Sequence, residues 1–246
     1  MASRKAAKPQ RLKDLLVFCD RKPAGKGLCN ARGLVPLLLG MLLLTACAGL
    51  PRINAVDAAR ASKIIKTCEN AFSEGKWQFA HVIEANLPGG RDAQLIGVTE
   101  LSSRPKRIHA VMMTLEGLVL FDGLFDGKLT LNRGVAPFDS IGFAEGLMED
   151  IRFIFLKPDG EPIEAGITED GFEVCRYRVS NDALVDVMVR PDRILEIRQY
   201  ANERLIRKVV SELTPGVSPG KITFTAQEPA KYRLNLRLIS AEQITN

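Results

Sequence analysis

The sequence predicts an α+β fold in which a curved antiparallel sheet carries one helix at its start and another at its middle. Two stretches place apolar residues at helical spacing, and short apolar runs separated by turn residues fill most of the remainder. Strands and helices do not alternate as a doubly wound parallel sheet requires. With 246 residues, 46% of them hydrophobic and 26% charged, the composition is that of a globular protein with one main domain.

The first helix is predicted to begin after Asp57, which can cap it, and to end before Gly75. Its apolar positions keep the spacing of one buried face: Ala61, Ile64, Ile65, Cys68 and Phe72. Five strand-like runs follow, separated by turns such as the one around Pro88 and Gly89. Their predicted bounds are 77–86, 93–101, 107–115, 118–121 and 128–132.

The apolar period becomes helical again at 141–156, with Asp139 or Ser140 as the cap and Pro158 as the stop. Because residues 151–156 are apolar nearly all round, we expect this helix to be buried on more than one side. Six further strands are predicted at 171–179, 183–190, 193–200, 205–213, 221–226 and 232–239. The order of elements therefore predicts an antiparallel meander.

The strand faces differ along this meander. Residues 232–238 alternate between apolar and polar, as expected for a sheet with one solvent-exposed face. Residues 108–121, in contrast, are apolar on both faces. Two interpretations remain open: a central strand between the core and the second helix, or the wall of an open half-barrel whose hollow holds acyl chains under that helix as plug or lid. The second predicts these lipid-binding residues: Met112, Met113, Leu115, Phe121, Leu147, Ile151 and Phe155.

The charge of the chain is concentrated at its N-terminus. The formal net charge of +5 indicates an anionic partner at first sight, but residues 1–33 contain nine of the 34 basic groups and only two of the 29 acidic ones. From Cys47 onward 25 basic and 27 acidic groups remain, a net charge of −2. The folded part therefore lacks the basic surface that nucleic-acid binding requires.

Thirteen uncharged residues, 34–46, separate the basic stretch from Cys47. As a helix they would rise about 20 Å, short of the roughly 30 Å hydrocarbon core of a bilayer. A basic region, a short apolar region and small residues before a processing point make up a secretory signal. We therefore predict a signal peptide at 1–46, a tether at 47–56 and a single domain at 57–246.

The tetrad Leu44-Thr45-Ala46-Cys47 resembles the lipobox of bacterial lipoprotein precursors. The resemblance implies that the thiol of Cys47 receives a diacylglyceryl group and that the chain is cut before this residue. Acyl chains on Cys47 would hold the protein in a membrane, because two chains already give stable anchoring. Ala48 follows the cysteine, which by resemblance to bacterial sorting rules implies the periplasmic side of the outer membrane.

Two further cysteines, Cys68 and Cys175, belong to the predicted mature chain. An oxidising periplasm would permit a disulfide between them, but Cys68 lies on the apolar stripe of the first helix and could equally pack as a buried free thiol. No Cys/His cluster with metal-ligand spacing is present, and the sequence gives no reason to expect a metal or a cofactor.

The order of elements in the predicted mature chain resembles the lipoprotein carrier and receptor proteins of the Lol pathway. The shared features are a lipobox, a tether, an amphipathic helix, a five-strand run, an apolar central helix and a second strand run. The resemblance implies a half-barrel that carries lipid chains or lipidated cargo under a helical lid. Gly123-Leu124-Phe125 is the nearest candidate for the protruding apolar loop by which the receptor delivers its cargo.

Residues that could support catalysis are few, and we predict no enzyme. The two histidines, His81 and His109, each lie inside a predicted strand, and no nucleophile or phosphate-binding motif is present. A hydrolase would require a cleft that unites one histidine with a carboxylate and a serine. Glu145, Glu149 and Asp150 are expected on a solvated helix edge. The alternative function is a scaffolding lipoprotein that docks an envelope complex through a sheet edge or the 123–127 turn.

Overall fold

The computed structural model describes residues 50–213, 220–227 and 230–245. Cys47–Asn246 form one compact unit. The predicted signal peptide, the lipobox residues Leu44, Thr45 and Ala46, and the predicted lipidation site Cys47 lie outside the described residues. They therefore remain predictions.

Thirteen strands and two helices make up the described part. The helices are α1 (Ala58–Asn70) and α2 (Ile141–Phe155). The strands before α2 are β1 (Ile53–Ala55), β2 (Lys76–Leu87), β3 (Arg91–Ser103), β4 (Lys106–Met113), β5 (Val119–Phe125) and β6 (Leu129–Gly134). The strands after it are β7 (Glu164–Thr168), β8 (Glu173–Ser180), β9 (Ala183–Val189), β10 (Ile194–Ala201), β11 (Arg204–Glu212), β12 (Lys221–Ala226) and β13 (Tyr232–Gln243).

All thirteen strands belong to one sheet with the order β1-β7-β8-β9-β10-β11-β12-β13-β2-β3-β4-β5-β6. Every neighbouring pair is antiparallel. The sheet is open, with β1 and β6 as its edges, and the predicted α+β class is confirmed. The last strand pairs with β2 over ten register positions and so joins the strands before α2 to those after it.

One face of the sheet, the inner face, packs against both helices and contains the core. Phe79 of β2 stacks on Phe155 of α2 with ring centroids 5.7 Å apart, and Phe224 of β12 meets Phe153 edge-on at 6.4 Å. Residues from α1, α2 and most strands form a single buried cluster. Helix α2 is thus buried against both halves of the sheet, as its apolar residues on nearly every side predicted.

Helix α1 is held by its cap and by a disulfide. The Asp57 side chain accepts a hydrogen bond from the backbone N–H of Arg60 at 2.9 Å, which satisfies one free donor of the first turn. Ile64 and Cys68 are the fully buried residues of its apolar face. Cys68 is disulfide-bonded to Cys175 of β8, with the Cα atoms 6.4 Å apart. Of the two alternatives for these cysteines, the structure has the disulfide.

The structure corrects the sequence-based prediction in three places. Two short strands were missed, β1 and β7, and β1 lies inside the segment predicted as a tether. Strand β5 continues to Phe125, so Gly123-Leu124-Phe125 is not a loop and the turn begins at Asp126. Position 123 requires glycine, because a Cβ there would collide with the ring of Phe121 on the same face of the sheet.

His81 gives the fold a predictable dependence on pH. Its ring is buried between Phe79 and Phe155, and burial lowers its pKa from 6.5 to about 4. Between those two values the unfolded chain binds a proton that the folded chain does not, so stability is lost as the pH falls. We expect a loss of about 2 kcal/mol between pH 7.5 and pH 5, approaching about 3 kcal/mol below pH 4.

Urea unfolding at the two pH values measures this loss. In a His81→Leu variant the contribution of this site should disappear, so that the variant loses about 2 kcal/mol less than the wild type over the same interval. Equal pH dependence in the two proteins would contradict the assignment.

Candidate functional site

The seven predicted lipid-binding residues do not all lie together. Met112, Phe121, Ile151 and Phe155 belong to the buried cluster on the inner face, and the partly buried Leu147 packs against it. Met113 follows Met112 directly in β4, where it pairs with Ile96, and therefore lies on the opposite, outer face. Its side chain is half-buried there. Leu115 lies in the β4–β5 turn and is 53% exposed.

The inner face is filled rather than hollow in the described part of the chain. The space left between the end of α1, the end of α2 and strands β10 to β12 has a volume of only about 10 Å³, enough for about one water molecule. The Ser211 hydroxyl lines this space and has no hydrogen-bond partner among the described residues. An acyl chain therefore has no room on the inner face while α2 is in this position.

Helix α2 is attached to the second half of the sheet by a buried polar cluster that we name the Asp150 latch: Asp150, Tyr232 and Arg207. The Tyr232 hydroxyl donates a hydrogen bond to Asp150, and the Arg207 Nε lies 3.1 Å from the Asp150 Oδ1. Burial raises the pKa of Asp150, and burial together with the Asp150 carboxylate raises the pKa of Tyr232. Asp150 is 4% exposed, so the prediction that it lies on a solvated helix edge is wrong.

The sequence could not reveal this latch, because its three members are far apart along the chain. Asp150 follows Glu149, which is exposed and looks equivalent in the helical pattern. Tyr232 was placed correctly on the apolar face of the last strand, but 82 residues separate it from Asp150. Only the packing of α2 against β11 and β13 unites these side chains.

The two ends of the sheet differ in character. Ile53 pairs with Thr168, the last residue of β7, so β1 begins at the end that carries the β7–β8 turn, which we name the Pro51 end because Pro51 lies just before β1 in the chain. Because neighbouring strands are antiparallel, the β3–β4 turn lies at this same Pro51 end, whereas the β4–β5 turn and the start of α2 lie at the other end. This second end, the Leu115 end, has exposed apolar side chains: Leu115, Leu118, Val135, Ile141 and Phe143.

A buried ion pair in the middle of β8 and β9 binds the backbone just before β1. The guanidinium of Arg176 makes two hydrogen bonds to Asp186, at 2.7 and 2.8 Å, and a third to the carbonyl oxygen of Pro51 at 2.9 Å. Both charged side chains are buried, Asp186 completely. The carbonyl group of Pro51 is therefore held against β8.

The outer face contains a separate depression of about 390 Å³ over β2 to β6. Its lining includes Glu100, Ser102, Arg107, His109, Leu124 and Asn132. His109 Nε2 and Asn132 Nδ2 both lie 2.9 Å from Asp122 Oδ1. The hairpin formed by the predicted third and fourth strands could have indicated this cluster, because Val111 pairs with Asp122 and places that carboxylate near His109.

The depression unites a histidine, a carboxylate and a serine, the combination that the hydrolase hypothesis requires, but the serine is not directed at the imidazole. The Ser102 hydroxyl donates to the carbonyl oxygen of Arg104 at 3.2 Å. The other histidine, His81, is enclosed by aromatic rings in the core. These contacts give neither histidine a serine to activate.

Within residues 50–213, 220–227 and 230–245 no three His, Cys, Asp or Glu side chains are grouped as metal binding requires. Neither described helix has the length and apolar content to cross a bilayer.

Comparison with known proteins found similarity among solved structures only. A DUF1329 family protein from Desulfovibrio piger has a TM-score of 0.44 and 11% identity over 78% of this chain and 95% of its own. A LolA superfamily protein from Nitrosomonas europaea has a TM-score of 0.40 and 10% identity, covering 78% and 96%. A domain described as an outer membrane lipoprotein-sorting protein, from Vibrio parahaemolyticus, has a TM-score of 0.43 and 8% identity, covering 77% and 94%. No protein-family model matches the chain, and no curated protein matches it.

Proposed function

We propose that the protein is a lipoprotein anchored through Cys47 on the periplasmic side of the outer membrane, and that it binds acyl chains or lipidated cargo on the inner face of its sheet. The observation that carries the proposal is the apolar inner face, which α2 covers as a separate element between two loops. The lipobox-like tetrad at 44–47 supports the anchor. No step of this function requires a catalytic residue.

Binding requires α2 to move, because its side chains occupy the space that a ligand would take. Phe155 and Ile151 are buried against the sheet, and Met148 is almost completely enclosed. An acyl chain that replaced these side chains would keep the apolar surface of β2 and β12 out of water, at about 25 cal/mol for each Å² that remains covered. The Asp150 latch then determines how readily α2 is displaced.

The exposed apolar side chains of the Leu115 end lie where α2 begins, and we place the entrance for the chains there. The four residues from Cys47 to Pro51 span at most about 14 Å. Strand β4, which separates the two ends, is eight residues long and rises about 26 Å. An anchor at Cys47 would therefore keep the Pro51 end near its membrane and leave the entrance further away.

Weakening the latch tests the movement of α2. Removal of the hydroxyl in Tyr232→Phe deprives the buried Asp150 carboxylate of one hydrogen bond, and we expect a loss of about 2 kcal/mol in stability. Uptake of a fluorescent fatty acid by residues 47–246, carrying Cys47→Ser, should become several-fold faster. Stopped-flow fluorescence measures the rate.

Tyr177→Phe is the matched control, since the buried Tyr177 hydroxyl has no hydrogen-bond partner among the described residues. This variant should keep the wild-type uptake rate and be at least as stable. Equal rates in the two variants would contradict a lid role for α2. No uptake by any of the three proteins would refute acyl-chain binding.

A scaffolding lipoprotein is the second candidate, and the filled inner face together with the exposed apolar Leu115 end favours it. Such a protein would take up no fatty acid. It would instead lose its partner when Leu115 and Ile141 are replaced by serine, with no change in stability, which pull-down from membranes under crosslinking would detect.

The anchor has its own test. Replacement of Cys47 by serine should release the protein from the membrane fraction and remove the mass of the acyl groups, because two or three chains are what hold it there. Unchanged fractionation together with an unchanged mass would refute lipidation.

A further inference from the structure

The depression on the outer face is a feature that the proposed function does not use. It lies across the sheet from the inner face and has the size of a small-molecule site, at about 390 Å³. The apolar residues Leu101, Leu124 and Ile244 line it together with polar and charged ones, among them Lys76, Glu100 and Arg107.

Asp122 fixes the imidazole that faces the depression. Its carboxylate accepts hydrogen bonds from Asn132 and from His109, each at 2.9 Å. Burial acts to raise the pKa of Asp122, but the bonds from Asn132 and His109 outweigh it and the pKa lies below its usual value. An ionised carboxylate only accepts hydrogen bonds, so Nε2 of His109 carries the proton.

Two opposite charges stand beside this imidazole. Glu100 pairs directly with His109 across β3 and β4, and Arg107 lies two residues before His109 on the same face of β4. Both side chains are exposed, and neither makes an ion pair within the described part of the chain. Diagonal neighbours on an antiparallel sheet have Cα atoms about 7 to 8 Å apart. The depression thus presents the Arg107 guanidinium and the Glu100 carboxylate as diagonal neighbours, and the Lys76 side chain also lines it.

We propose that this depression binds a phosphoethanolamine group, either free or as the headgroup of a phospholipid. The guanidinium of Arg107 takes the phosphate oxygens, for which its forked donors are suited. The Glu100 carboxylate takes the ammonium group. A two-carbon bridge separates the two charges of this ligand.

The position of the depression is compatible with a lipid source. Arg107 is next to the β3–β4 turn, at the Pro51 end of the sheet. Contacts continue from that turn to the end of α1: the Lys106 ammonium donates to the carbonyl oxygen of Lys157 at 2.7 Å, and the Lys157 ammonium lies 2.6 Å from Glu69. The depression therefore lies near the end of the sheet at which β1 begins.

Calorimetric titration of residues 47–246, carrying Cys47→Ser, with phosphoethanolamine tests the proposal. We expect saturable binding, and binding at least tenfold weaker for phosphate alone and for ethanolamine alone, because each retains only one of the two charges. Arg107→Ala and Glu100→Ala should each weaken binding about tenfold or more. Arg91→Ala on β3 and Glu84→Ala on the neighbouring β2, both exposed and nearer the other end of the sheet, are the matched controls and should bind as the wild type.

Absence of saturation, or equal affinity in the Arg107 and control variants, would overturn the proposal. Thermal unfolding checks that the variants are folded. Co-sedimentation with phosphatidylethanolamine vesicles and with phosphatidylcholine vesicles identifies the source. Binding to the first alone, lost in Arg107→Ala, supports a lipid headgroup, and binding of the free ligand without vesicle binding supports a soluble one. Failure of fatty-acid uptake would leave this result unaffected, because the two sites lie on opposite faces of the sheet.

Discussion

Removal of the disulfide by replacing both Cys68 and Cys175 with alanine is expected to lower the free energy of unfolding by about 4 kcal/mol. The bond closes a loop across 107 positions of the chain, and the entropy that such a link removes from the unfolded state grows with the length of the loop. Both cysteines are completely buried between α1 and the inner face, so alanine is the least disruptive replacement.

Urea unfolding with and without reductant measures this effect and provides its control. The wild type should lose the same 4 kcal/mol or so when it is reduced before unfolding, whereas the alanine variant should be indifferent to reductant. Reduction that leaves the wild type unchanged would show that the link does not stabilise the fold. Because the bond ties α1 to β8, we also expect α1 to be the first element that exchanges its amide hydrogens after reduction.

Breaking the buried pair of Arg176 and Asp186 is expected to have an effect of similar size. Asp186→Ala leaves the Arg176 guanidinium buried with only Glu164, at 3.3 Å, as a charged partner. Removal of one member of a buried pair costs about 3 to 5 kcal/mol. Asp192→Ala is the matched control, since its pair with Arg190 is largely exposed and should contribute less than about 1 kcal/mol.

A double variant separates the loss of attraction from the penalty of an isolated buried charge. Arg176→Met together with Asp186→Leu removes both charges and should be less destabilised than Asp186→Ala alone. It also removes the hydrogen bond to Pro51, so β1 should lose protection from amide exchange in the double variant. A double variant as unstable as the single one would contradict this account of the pair.

The positions of most elements could be predicted because each strand and helix has a clear apolar period. The predicted strand 221–226 coincides with β12, and the predicted helix 141–156 ends one residue beyond α2. β1 and β7 were missed because strands of three and five residues are too short to show alternation. Their positions depend on pairing with each other and with β8, which the local sequence does not contain.

The candidate sites were less predictable for the same physical reason. The apolar residues of β4 predicted burial on both sides, but only the inner side is buried. Register decides which side meets α2, and it separates Met112 from Met113. The polar groups of the Asp150 latch and of the outer-face depression each come from several elements. A sequence pattern shows which residues of a segment are buried. It does not show which other segments they contact.

The position of β13 in the sheet has a consequence for the order in which the sheet can form. Strands β2 to β6 form one ladder, and β1 with β7 to β12 forms another, and the pairing of β13 with both β12 and β2 connects the two. The sheet cannot be completed until the last strand has left the ribosome and, in an exported chain, has crossed the inner membrane. The two ladders thus become one sheet only after the C-terminal strand has been synthesised.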